Sequence, residues 1–307
     1  MRLINVHTLK LESFIDEESA PKYAILSHTW GQNEVQYLEL INYRPGEDEE
    51  RLDWRKIHLT CDQAKIDGLK YAWVDTCCID KASSAELSEA INSMFKWYQK
   101  SDVCYVFMPD VQPEDLSAET GFLSSFRASR WWTRGWTLQE LLAPERLVLY
   151  DVHWDVIGEK PPLVNSSGSH PDLMADITSI TNISSKVLTH DVPLSDIGIA
   201  VKMSWASTRT TTRKEDIAYC LLGIFDINMP LLYGEGAKAF RRLQEEIVRT
   251  STDQSIFAWN GRECPDILAP TPANFAQSST VVPRKRTGVD VEAYQLNHKG
   301  LSITLPV

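Results

Sequence analysis

The sequence contains no apolar run approaching the roughly 20 residues of a membrane span, and its opening stretch, MRLINVHTLKLESF, lacks the uninterrupted apolar core of a signal peptide. A cytoplasmic protein with no membrane span is the expectation. Six cysteines, Cys61, Cys77, Cys78, Cys104, Cys220 and Cys264, include no CxxC pair and no framework spacing. They lie in apolar segments such as TCCID and DVCYVFM, which marks them as reduced core thiols rather than disulfide partners or metal ligands. The seven histidines form no HxxxH pair that would set two imidazoles on one helical face, so no metal site is expected. Positive charge is also short. The 31 Lys and Arg against 42 Asp and Glu give a net charge of -11, which disfavours nonspecific binding to nucleic acid or anionic membranes. The sequence has no GxxxxGK[ST] phosphate loop, no GxSxG elbow, no HExxH pair and no repeat at solenoid or propeller spacing.

What is present suits a globular α/β chain. At 307 residues, 43% hydrophobic and 24% charged, the chain can bury one large core or two modest ones. Four apolar runs read as buried strands: Tyr23 to Leu26, Tyr71 to Val74, Val103 to Met108, and Arg146 to Asp151. Helical patterns alternate with them. Trp54, Ile57, Cys61 and Ala64 make one stripe, entered at Asp53 and stopped at Gly68; Leu87, Ile91, Met94, Phe95 and Tyr98 make another, opened by Ser83 and Glu86 at capping-box spacing. A third helix holds WTLQELLA and stops at Pro144. This alternation predicts a parallel sheet flanked by helices, in which ligands bind outside the carboxyl ends of the strands. Ser27, His28, Thr29 and Trp30 after the first strand, and Asp75, Thr76 and Asp80 after the second, are the polar residues expected there.

From about Asp151 to Ser204 the pattern weakens, and EKPPLVNSSGSHPD reads as an exposed loop. Helical segments return in KEDIAYCLLGIF, with Ile217, Cys220 and Leu221 on one face, and in EGAKAFRRLQEEIVRT, with Phe240, Leu243 and Ile247. A Pro-rich tail ends in HKGLSITLPV, the opening of a β element. The expected divisions are a sheet-bearing core at 1–160, a loop-rich insertion at 161–204, a helical extension packing on the core at 205–260, and the tail at 261–307. GEGAKA, Gly234 to Ala239, fits the letters of a GxGxxG/A dinucleotide fingerprint, but the preceding NMPLLY makes a poor strand, so a turn and helix start is the better reading. RASRWWTRGW mixes bases and aromatics, yet it precedes a helix in an acidic protein and reads as core and helix-entry packing. Within the third helix Leu138, Leu141 and Leu142 point to the core, while Trp136 and Glu140, four apart, share the neighbouring face.

Three blocks in order, YAILSHTWG, YAWVDTCCID and RGWTLQELLAP, resemble the signature of the heterokaryon-incompatibility (HET) domain of filamentous fungi. The resemblance covers roughly residues 20 to 160 and implies a role in self/non-self recognition and regulated cell death, with a nucleotide-binding receptor domain downstream in the full-length protein. The HET domain is in turn distantly similar to TIR domains, which are flavodoxin-like α/β folds. SRWWTRGWTLQEL resembles the TIR pattern of a serine, a tryptophan and a glutamate followed by leucine, which implies that Glu140 is a catalytic residue cleaving the nicotinamide-ribose bond of NAD. The resemblance departs in the first loop, SHTWG, and in the long crossover from Gly31 to Gly68.

By the same resemblance Ser27, Thr29 and Asp75 offer polar contacts to NAD, and Trp30 and Trp136 flat apolar walls, while Trp131 and Trp132 are core. NAD is then a substrate, no tightly bound cofactor is expected, and activity depends on self-association. The competing reading is a non-enzymatic adaptor that recruits partners through its surfaces. A nucleic-acid-binding regulator is disfavoured by the charge and by the lack of a basic stripe.

Overall fold

Residues Tyr23 to His28 are buried along their whole length, as a strand must be when a sheet is covered on both faces, and the first unit of the fold is built around them. The computed structural model describes residues 1–44, 52–112, 122–161, 173–261, 266–281, 295–297 and 300–302. Two compact units divide the chain, 1–190 and 191–307.

In the first unit the elements run β1 (Arg2–Asn5), β2 (Leu11–Ser13), β3 (Tyr23–His28), α1 (Tyr37–Ile41), α2 (Leu52–Ile66), β4 (Tyr71–Trp73), α3 (Ser84–Lys100) and β5 (Val103–Phe107). They continue as α4 (Phe122–Ala128), α5 (Thr137–Leu142), β6 (Leu147–Tyr150), β7 (Val156–Lys160), α6 (Met174–Thr181) and α7 (Ser185–Leu188). The sheet order is β2-β1-β4-β3-β5-β6-β7. The four central strands, β4, β3, β5 and β6, are mutually parallel, and antiparallel partners close both sides. Numbered by themselves these four stand in the order 2-1-3-4, the flavodoxin-like doubly wound arrangement, whose switch point lies between β3 and β5. Right-handed crossovers then put α2 on one face and α3 with α5 on the other. Contacts of α2 with β3 and β4, and of α3 with α5, agree.

The expected stripes are buried. Trp54, Ile57, Cys61 and Ala64 of α2 are all in the core, and Gly68, at a φ of +75°, ends the segment in the left-handed region that favours glycine. Asp53 lies inside the first turn of α2 instead of capping it. Ser83 caps α3 by accepting from the Glu86 amide, but the Glu86 carboxylate turns away to accept from the Asp80 amide at 2.8 Å. Ile91, Met94 and Tyr98 are buried on α3, and Trp97 joins them where Phe95 was expected. The cysteines within the described residues are buried free thiols; Cys264 lies outside them.

Two expectations for this unit are corrected. Ser27 and His28 belong to β3 and are not a loop: the Ser27 hydroxyl is hydrogen-bonded to Glu140 on one face of the sheet, and His28 is buried on the other between the Glu34 and Asp75 carboxylates. The region 161–204 carries α6, α7 and a further helix, and the first unit extends to residue 190: Val187 and Leu188 are buried, and α7 contacts α5. Its Pro- and Ser-rich part, 162–172, lies outside the described residues, as do 45–51 in the long crossover.

The second unit contains α8 (Ile199–Trp205), α9 (Asp216–Tyr219), α10 (Leu222–Phe225), α11 (Lys238–Thr250) and a hairpin of β8 (Gln295–Asn297) with β9 (Gly300–Ser302). KEDIAYCLLGIF, expected as one helix, is broken into α9 and α10. In α11 Phe240, Leu243 and Ile247 are buried as expected, while Arg241 and Glu245 pair on the outside. The buried Gln244 amide exchanges two hydrogen bonds with the Ala269 backbone, each 2.9 Å, in the manner of a strand residue. GEGAKA is a turn ahead of α11: the Gly234 and Gly236 amides, at positive φ, both donate to one Glu215 oxygen at 2.9 Å. The anion in this glycine nest is the chain's own carboxylate.

Candidate functional site

Alternation along β3 divides its carboxyl end between two faces of the sheet. Tyr23 donates to the Trp97 carbonyl of α3, so Tyr23, Ile25 and Ser27 face α3 and α5, whereas Leu26 and His28 face α2. The strand therefore carries two polar groups back to back.

On the α5 face, the Ser27 hydroxyl donates a short hydrogen bond to Glu140 Oε2 and accepts from the Trp131 indole at 2.8 Å. The Tyr98 hydroxyl donates to the Leu26 carbonyl at 3.0 Å. Burial pushes Tyr98 well above the usual phenol range, and the adjacent Glu140 carboxylate adds to the effect. Thr29, also buried, accepts from Arg130 at 3.3 Å. The segment ahead of α5 is fixed by Asp110, whose carboxylate accepts from the Ser129 hydroxyl and from the Arg130 amide, at 2.7 and 2.8 Å. Glu140 is only 6% exposed and Ser27 is 0% exposed. Helix α5 is buried all round, so the face that carries Glu140 is as covered as the face of Leu138, Leu141 and Leu142.

The carboxyl end of α5 is held by basic groups. Lys160 of β7, 0% exposed, donates to the carbonyls of Leu141 at 2.6 Å and Pro144 at 3.0 Å. A His190 ring nitrogen meets the Leu142 carbonyl at 2.9 Å. The Lys160 ammonium offsets the negative end of the helix dipole, and both side chains meet carbonyls that the helix itself leaves free; burial, with Lys160 adding to it, lowers the His190 imidazole toward its neutral form. Burial brings the Lys160 ammonium down to about 8.

On the α2 face, the buried His28 imidazole stands 3.6 Å from Glu34 and 4.0 Å from Asp75, and Lys56 of α2 makes a close ion pair with Glu34. Burial alone would raise the Glu34 carboxyl, but His28 and Lys56 outweigh it and hold Glu34 at about 2. The other Asp75 oxygen accepts from the Trp30 indole at 2.8 Å, and the Lys81 ammonium lies 3.8 Å from the centre of the Trp30 ring. Trp30 itself is 45% exposed.

The residues expected to share one site are divided by the sheet: Ser27 contacts Glu140 on one side, and Trp30 contacts Asp75 on the other. Trp136 is half-buried at the entrance to α5, one turn before Glu140. Trp131 and Trp132 are core, packed edge to face. Trp131 also has a polar role through its indole, which the sequence reading did not give it. His28 had been marked only as a strand-end residue. Glu34, Lys56 and Lys81 were missed, since each is an ordinary charged residue until the fold brings it to the strand end. Among the described residues there is no metal-binding cluster of His, Cys, Asp and Glu and no helix long and apolar enough to cross a membrane.

Comparison with known proteins gives two family matches. Residues 23–118 match the heterokaryon incompatibility protein (HET) family, and residues 238–298 match a domain of unknown function (DUF8212). Over 232 residues, 74% of this chain, the sequence is 44% identical to Vegetative incompatibility protein HET-E-1 of Podospora anserina. The match takes in 16% of that protein's length. No solved structure matches the chain significantly.

Proposed function

This chain is a heterokaryon-incompatibility domain protein, and from that premise we propose that it acts in fungal non-self recognition as an effector that hydrolyses the nicotinamide-ribose bond of NAD when it self-associates. The observation that carries the reading is the contact of Ser27 with Glu140 at the carboxyl end of β3, beside the switch point where doubly wound sheets bind ligands. Nicotinamide departs as a neutral molecule, taking the electron pair of the broken C–N bond to a nitrogen that was cationic, so no general acid is needed. The ribose carbon gains positive charge as the bond lengthens. A single carboxylate stabilises that charge and orients the ribose hydroxyls, most strongly where water is excluded. Water then adds to the ribose carbon and releases a proton. Glycosides with poorer leaving groups need two carboxyl groups for the same task.

Glu140 is buried, so substrate reaches it only after its surroundings shift. A resting monomer that is nearly inactive follows, and self-association that favours the opened form makes turnover per protomer rise with concentration by mass action. The test is NAD depletion by purified protein from nanomolar to high micromolar concentration, and by a forced oligomer. Glu140→Gln, which preserves shape, is expected to lower turnover by about 100-fold or more with little change in thermal midpoint. Flat turnover per protomer would remove assembly gating.

The adaptor reading has its own support. A glutamate whose carboxylate is bound by Ser27 inside a buried network also serves as a structural residue. If verified assemblies leave NAD intact and still recruit partners, that reading replaces the enzymatic one.

A further inference from the structure

The α2 side of β3 holds charged groups that the proposed bond cleavage does not use. The Lys81 ammonium is buried, and among the described residues it makes no hydrogen bond; its neighbour is the face of Trp30. Asp75 commits one oxygen to the Trp30 indole, while the other is buried and makes no hydrogen bond among the described residues. The His28 side chain is 1% exposed, and its ring nitrogens meet Glu34 and Asp75 only at 3.6 and 4.0 Å, beyond hydrogen-bond length. A desolvated ammonium and a half-used carboxylate are costly to maintain, and a fold keeps such groups where something else completes them. Trp30, over them, is open to solvent on part of its surface.

We infer that Trp30, Asp75, His28 and Lys81 form a subsite for a nucleoside diphosphate, next to the Ser27–Glu140 pair and on the opposite face of β3. Each part of such a ligand has a matching group. The base stacks on the exposed part of the Trp30 indole. Asp75 lies two residues after the second strand of the parallel series, the region where an acidic side chain accepts from ribose hydroxyls in dinucleotide-binding sheets, and His28 lies 4.0 Å from it. Lys81 exchanges the ring face for phosphate oxygens, a stronger partner for an ammonium than an indole. Burial lowers the Lys81 ammonium, while Asp75 and Glu34 counter that effect. A dinucleotide passing over the end of β3 would reach both faces, with its scissile ribose at Glu140. The inference deepens the NAD reading, on which it rests for the choice of ligand.

The experiment is calorimetric titration of the full chain with ADP and, in parallel, with adenosine. ADP is expected to bind the wild-type protein more tightly than adenosine does. Lys81→Met should weaken ADP by about 10-fold and adenosine by less than about twofold, and Lys81→Arg should restore most of the ADP affinity. Trp30→Leu should weaken both ligands by about fivefold or more. Each variant is compared with wild type by thermal melting, and the arginine variant guards against a misfolded methionine one. Absence of ADP binding at millimolar concentration overturns the inference, as does an equal loss of ADP and adenosine in Lys81→Met. Because the readout is binding, it separates from catalysis: Lys81-dependent ADP binding by a protein that never consumes NAD removes the cleavage reading alone.

Discussion

The two faces of the β3 terminus begin from adjacent residues and differ in how completely their polar groups are matched. Facing α5, Ser27 links the Glu140 carboxylate to the Trp131 indole through hydrogen bonds inside the core. Facing α2, His28 lies between two carboxylates at distances beyond hydrogen-bond length, and the nearby Lys81 rests on an indole face. The matched side is closed to solvent. The unmatched side combines opposite charges with a half-exposed ring, which is the composition of a surface that takes up a partner. One peptide unit of strand separates these behaviours, so the alternation of side chains, and not distance along the chain, divides the labour.

The largest effect expected from testing this contrast is in the paired tryptophans. Trp131→Ala should cost about 3–5 kcal/mol, because it opens a cavity and strips Ser27 of a donor. Comparable melts for Trp131→Ala and a similar truncation of the half-exposed Trp30 would break the contrast.

Acid titration is the next test. Glu34 titrates at about 2 when folded against an ordinary 4.5, so its contribution is complete above pH 4.5 and is lost as pH falls toward 2. The loss is on the order of 3 kcal/mol. In Glu34→Gln this portion of the acid dependence should vanish from denaturation curves measured between pH 5 and 2; an unchanged slope would mean that the α2 face is not held by its charges.

Ser27→Ala should follow at about 1–3 kcal/mol, the cost of leaving the Trp131 and Glu140 groups buried without this partner. Chemical denaturation of that variant sharpens the comparison, since a neutral result would show water replacing the hydroxyl. The smallest effect belongs to Trp30→Ala, within about 1 kcal/mol, as it removes one exposed ring, one hydrogen bond and one cation–π contact.

How far the sequence foretells this arrangement depends on how local each signal is. The four parallel strands and the stripes of α2 and α3 are legible because apolar periodicity is a property of neighbouring residues. The end of β3 is not, because Ser27 and His28 look like loop residues until partners from α5, α2 and the intervening loops surround them. Ser27 and Glu140 are 113 positions apart, and it took the convergence of parallel strand ends together with the resemblance to known families to suggest that they meet. Alternation within SHTW carried a usable clue, since a strand extended by two residues must send Ser27 and His28 to opposite faces. Nothing comparable singled out Lys56 or Lys81. The helices at 174–205 were obscured by the Pro- and Ser-rich stretch that precedes them.

The clamp on α5 bears on where this protein can be cut. The HET family match ends at residue 118, ahead of the helix that carries Glu140. Extending a fragment through β6 would include that helix but leave its last carbonyls unmet, because Lys160 and His190 come later. A fragment that keeps both donors to the end of that helix runs to residue 190, the end of the first unit, and one cut before β7 loses Lys160 together with that strand. Excision boundaries for this chain are better drawn by following the carbonyls of that helix to their donors than by following the span of sequence similarity.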